Sequence, residues 1–167
     1  MPFVEVATSV RGLVQFLVAL AKANVVDCQA DPALRAELHR RCGARERIKY
    51  ERDTAGRRSG GGRRAVDRWT CLSLLVERTS KDAPIEGDCE DLTALWGAHL
   101  LLLGFRVAVC ITQPREGATA HAYLRVFDDT LGVWRVWDPS VWHGMRDPGP
   151  EFYTSGETHC CELDLPC

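Results

Sequence analysis

The chain lacks a charge excess of either sign: 21 Lys and Arg stand against 23 Asp and Glu, a formal charge of −2. A uniformly basic surface for nucleic acid or anionic lipid is thereby excluded, and any such contact has to be local. Long apolar runs are missing too. The longest, Leu13 to Ala21, is broken by Gln15 and flanked by Arg11 and Lys22, which is short for a hydrocarbon core of roughly 30 Å. No membrane span is expected. Aromatic residues are absent between Tyr50 and Trp69, so the arginine-rich stretch there lacks a platform for stacking bases. Carboxylates spaced as in a calcium loop are missing. His159, Cys160 and Cys161 lack the two-to-four residue spacing of zinc ligands, and no second pair completes a set of four. Neither a metal nor any other cofactor is expected.

What is present suits one domain over 1–167, with a hydrophobic fraction of 46% that is ample for a single core. Cysteine is plentiful, at positions 28, 42, 71, 89, 110, 160, 161 and 167. A chain of this size needs no disulfide framework, and if Cys89 is a nucleophile the remaining seven cannot all pair. The expectation is therefore a reducing, cytoplasmic setting in which Cys28, Cys42, Cys71 and Cys110 are small buried hydrophobes.

Val10, Val14, Leu17, Leu20 and Ala21 recur at helical spacing and predict an amphipathic helix. The same run before Ala21-Lys22-Ala23 resembles a signal peptide, but Glu5 weakens the basic leader. Asp31-Pro32 opens a second helix to about Arg41, so 1–50 reads as N-terminal helices. Residues 51–68 hold six arginines around Ser59-Gly60-Gly61-Gly62 and read as a flexible loop. A short apolar stretch, Trp69 to Glu77, follows. From Cys89 the pattern is strongly helical, ending at Gly104. Three strands come next: Phe105 to Thr112, Ala120 to Phe127 and Val133 to Trp137, with Asp128 to Gly132 as a hairpin turn. The tail after Asp138 reads as irregular. The fold class is α+β, a helix bearing Cys89 packed on an antiparallel sheet.

Gly87-Asp88-Cys89-Glu90-Asp91, His121-Ala122-Tyr123 and Trp137-Asp138-Pro139 place a thiol, an imidazole and a carboxylate in order. A cysteine at a helix start feels unpaired N–H groups and the positive end of the dipole, which favour the thiolate. Asp88 caps that helix and Asp91 suits its positive end. Asp88, Glu90 and Asp91 also oppose ionisation of the thiol, so a cationic partner is needed. His99 lies ten residues along the same helix, about 15 Å away at ~1.5 Å per residue, and is eliminated. His39 sits in a charged helix and reads as solvated, and His143 and His159 lie in the irregular tail. His121, aimed by a strand, is left as the base. Asp138 in the adjacent strand could orient it, as the third member of a triad does. Taken alone, Asp138-Pro139 reads as the start of a turn.

These three motifs resemble the core of the transglutaminase-like superfamily of papain-like thiol enzymes, over about 84–141. The resemblance implies Cys89 as nucleophile, His121 as base, Asp138 as orienting carboxylate, and Asp91 as a structural acid near the cysteine. The compact size and the run from Trp137 to Met145 are most similar to the small transglutaminase-like proteins of tailed phages. The expected activity is acyl transfer from an amide through a Cys89 thioester, with a protein or peptide as substrate. Water as acceptor gives a peptidase or amidase, and an amine gives a cross-linker. Trp69, Trp96, Trp137 and Trp142 are candidate walls of the acyl cleft. The alternative is a virion structural or assembly protein that uses the fold to bind other phage proteins. A nucleic-acid binder acting through Arg57, Arg58, Arg63 and Arg64 is the weakest reading.

Overall fold

A computed structural model describes residues 9–52, 72, 73, 76, 79, 83–114 and 120–164. Most of the Arg/Gly-rich segment, most of the apolar stretch 69–77, and Cys71 and Cys167 lie outside the described residues. The architecture mixes helix and sheet. Helices α1 (Val10–Ala30) and α2 (Pro32–Cys42) lead through a 3-10 turn (Arg45–Arg47) to β1 (Ile48–Tyr50). Strand β2 (Ile85–Gly87) pairs with β1 in parallel and delivers the chain to α3 (Cys89–Leu102). Then come β3 (Val107–Gln113), β4 (His121–Asp128), β5 (Val133–Trp137), a one-turn α4 (Pro139–Trp142), a 3-10 turn (Pro150–Thr154) and β6 (Glu157–Leu163). The last four strands form one antiparallel sheet in the order β5-β4-β3-β6.

Helix α1 begins at Ser9, whose hydroxyl accepts from the Gly12 N–H at 3.1 Å. It continues well beyond Ala21, because Val25 and Cys28 extend the buried stripe of Val14, Leu17 and Ala21. With 21 residues it is long and apolar enough to cross a bilayer, so the shortness of the apolar run is corrected. Here that stripe is packed against α3, β3 and β6. Buried Asn24 accepts the Leu72 N–H at 2.9 Å, which explains a polar residue on the stripe. Helix α2 starts as expected, with Asp31 accepting from Ala33 and Leu34 N–H groups.

Helix α3 is buried nearly all round, including Thr93, Ala94, Gly97 and Ala98 opposite the expected stripe. It is a central helix, enclosed by α1 and the sheet. Gly97 makes this possible: a Cβ there would lie 3.2 Å from Leu163 and 3.7 Å from Ala21. Gly97→Leu is therefore expected to destabilise the fold by about 1–3 kcal/mol or more through overpacking, read as a lower urea midpoint.

Two expectations need correction. The tail is ordered into α4, a 3-10 turn and a fourth sheet strand that carries His159. Cys110, expected as a free thiol, lies directly opposite Cys160 on β6 and is joined to it by a disulfide. The cysteine arithmetic behind the reducing setting therefore loses one of its terms. Cys28, Cys42, Cys89 and Cys161 are free.

Candidate active site

Cys89 is the first residue of α3, where Asp88 caps the helix through Oδ1, accepting from the Glu90 and Asp91 N–H groups at 3.0 and 3.1 Å. Gly87 is required by close approach: a Cβ there would sit 2.9 Å from the Asp91 Cβ. Asp91 thus marks where the entering strand touches the first turn of the helix, and the Gly-Asp-Cys order has a steric reason.

His121 opens β4 and Asp138 follows β5, the neighbouring strand. Their side chains meet, with Nε2 of the imidazole 2.6 Å from Oδ2 of the carboxylate, both buried. An ionised carboxylate only accepts, so the Nε2–H donates and the Nδ1 lone pair is left open to receive a proton. The two oxygens of Asp138 have separate partners. Oδ1 accepts from the Ser140 and Val141 N–H groups and starts α4, while Oδ2 accepts from His121 and from the Tyr153 hydroxyl at 2.8 Å.

Tyr153 was not anticipated. It lies in the 3-10 turn that covers the sheet face opposite α3, where its ring meets Tyr123, and the Phe152 ring backs His121 at 5.7 Å. Burial, together with the Asp138 carboxylate, holds the Tyr153 phenol well above the usual range, so it stays a donor. The Phe152-Tyr153 pair in a tail rich in Pro and Gly was the signal of this contact in the sequence.

The thiol itself is turned elsewhere. The Cys89 S–H donates to Glu90 Oε2 at 3.1 Å, and the sulfur also has the Ala122 backbone amide as a partner. Ala122 follows His121, so the sulfur rests beside β4 without bonding the imidazole. Burial, then the Glu90 charge, push the thiol well above its usual range; the Ala122 bond lowers it in part. The helix dipole therefore does not by itself deliver a thiolate. Glu90 is shifted as well, to about 8, by burial and then by repulsion from Asp88. Tyr50 on β1 borders the same group, and burial followed by the proximity of Cys89 raises its phenol to about 12.

The other histidines have partners of their own. His39, expected in solvent, is half-buried; its Nε2 accepts from Arg35, so its Nδ1–H donates to His99 Nδ1 at 3.1 Å. Burial and then His39 lower His99 to about 4, so it is neutral at pH 7. His143 accepts from the Trp96 indole N–H at 3.0 Å and is held neutral by burial. His159, on β6, pairs with Glu157 at 3.0 Å. Trp137 packs between Trp96 and Trp142, and its buried Nε1–H lacks an acceptor among the described residues. Trp69 lies outside the described residues. Among the described residues no group of three or more His, Cys, Asp or Glu converges as a metal site.

No protein-family model, curated protein or solved structure matches the chain.

Proposed function

We propose that this protein is a thiol enzyme of transglutaminase-like, papain-like type that transfers the acyl group of a protein or peptide amide through a Cys89 thioester. The single observation that carries this reading is the buried His121–Asp138 pair, which leaves Nδ1 as a proton acceptor beside the strand that touches the Cys89 sulfur. For reaction the Cys89 side chain rotates from Glu90 toward Nδ1. His121 takes the thiol proton, and sulfur attacks the amide carbonyl. The Cys89 N–H, which the Asp88 cap does not take, favours the resulting oxyanion at the start of α3. Collapse breaks the C–N bond, and His121 returns the proton to the leaving amine. Water, or an incoming amine, then gives a proton to His121, attacks the thioester and restores the thiol. Hydrolysis yields a carboxylic acid, and transfer yields a new amide.

The competing reading, a virion structural or assembly module on the same fold, has one observation in its favour: the resting thiol bonds Glu90 and is strongly disfavoured as a thiolate. Mass spectrometry after brief treatment with an acylating thiol probe at neutral pH separates the two. The enzyme reading expects Cys89 to label faster than Cys28, Cys42 and Cys161, and His121→Ala to remove that advantage. Equal labelling of Cys89 and the buried structural cysteines would favour the binding module.

A further inference from the structure

The helices lie over β6, β3 and β4, and alongside β5 there is a cavity of about 670 Å³. It runs from the Asp128–Thr130 turn to Trp137. Trp96, Leu100 and Phe105 from the helix side line it together with Val126 and Trp137 from the sheet, and Trp142 lies at an end. Charge is confined to its extremities: Arg45 sits over the Trp142 ring at 5.2 Å, and Arg135 pairs with Asp128 at 2.8 Å at the other end. A second cavity, about 390 Å³, shares Arg45, Val136, Trp137 and Trp142 with the first and reaches Asp138 and Tyr153.

From this we infer that the cavity binds an extended polypeptide through a large apolar side chain, with the bound strand leading toward Asp138. Three observations select that occupant. The volume falls within the roughly 300–1,000 Å³ typical of ligand sites, and the lining is aromatic and aliphatic except at its ends. The mouth is already apolar at the surface: Phe105 and Trp142 are 46% and 43% exposed. Strand β5 is an outer strand of its sheet, so one side of its backbone faces no other described strand and offers N–H and C=O groups to an incoming chain. A small apolar compound would use the lining and leave that edge unpaired.

This deepens the proposed function, and rests on it only in identifying the bound strand as the acyl donor. The substrate is then a peptide with Phe, Leu or a similar residue near the amide that is cleaved or transferred.

Binding is tested apart from turnover, on the Cys89→Ala protein, by titrating blocked hexapeptides with central Phe, Leu or Ser and following amide NMR shifts. The Phe and Leu peptides are expected to bind at least tenfold more tightly than the Ser peptide. Val126→Trp, which fills the cavity, should remove that preference. Phe105→Ser, at the exposed rim where folding is least at risk, should weaken the Phe peptide severalfold. Equal affinities for the three peptides, or no response to Phe105→Ser in a protein with unchanged circular dichroism, would overturn the inference. So would shifts that follow protein rather than peptide concentration, which would indicate a second copy, or indole alone binding as tightly as the Phe peptide. Selective binding without acylation of wild-type Cys89 would defeat the enzyme reading and leave the binding site standing. Acylation indifferent to the side chain would do the reverse.

Discussion

Asp138→Asn is expected to lower the rate of Cys89 acylation by about 1,000- to 10,000-fold, the scale seen when an orienting carboxylate of a triad becomes an amide. The cause is tautomeric. Asp138 Oδ2 accepts from both His121 Nε2–H and the Tyr153 hydroxyl, and an amide NH2 in that place would present hydrogens to two donors. The imidazole relieves the clash by moving its proton to Nδ1, the nitrogen that has to receive the thiol proton. Tyr153→Phe removes one donor and leaves the His121 bond, so its loss should be near tenfold. Acylation by an activated ester, followed by intact mass, measures both. Asp138 also caps α4, so folding is checked by circular dichroism. A folded Asp138→Asn protein that acylates at the wild-type rate would remove Asp138 from the mechanism.

Glu90→Gln is expected to speed alkylation of Cys89 by about tenfold or more at alkaline pH, because a like charge a few ångströms away is worth several kcal/mol at an effective dielectric of about 20. Glu90 is held up to about 8, so in the wild type it acquires charge as pH rises through 8 and pushes the adjacent thiol further from ionisation. The wild-type rate should flatten there, whereas Gln has no second ionisation and its rate should keep rising. At pH 6 the two proteins should differ little. Stability provides a second readout with its own sign. The folded value lies above the usual 4.5, so the folded state holds a proton that the unfolded state releases between pH 4.5 and 8. Stability from this group is complete below that window and declines as pH rises through it. The melting temperature of Glu90→Gln should accordingly exceed that of wild type at pH 9. Parallel pH profiles for the two proteins would show that Glu90 does not govern the thiol.

The elements nearest the chemistry were the ones legible in the sequence. Helix α3 has a cap in Asp88, strands β3, β4 and β5 carry β-branched and aromatic residues, and the spacing of His121 and Asp138 across a hairpin brings them together. Strand β6 was not legible, because Glu157 to Glu162 has no apolar alternation. It is specified by pairing with β3 and by the Cys110–Cys160 bond, both long-range. The continuation of α1 was hidden by Asn24 and Asp27, polar residues that the local pattern treats as an end. Glu90 was read correctly as a charge opposing the thiolate, but its role as the resting acceptor of the S–H depends on a side-chain direction that spacing does not give.

The Cys110–Cys160 bond divides the proposed machinery topologically. Fifty residues of chain separate the two cysteines, and His121, Asp138 and Tyr153 all belong to the covalent ring they close, whereas Cys89 belongs to the open chain outside it. Base and nucleophile are thus held on two differently connected bodies, a macrocycle and a tethered helical arm, joined through the link from Leu103 to Arg106. Scission in that link would leave the orienting carboxylate and its imidazole bound in one ring fragment. Scission between His121 and Asp138 would leave both pieces attached through sulfur until a reductant opened the ring.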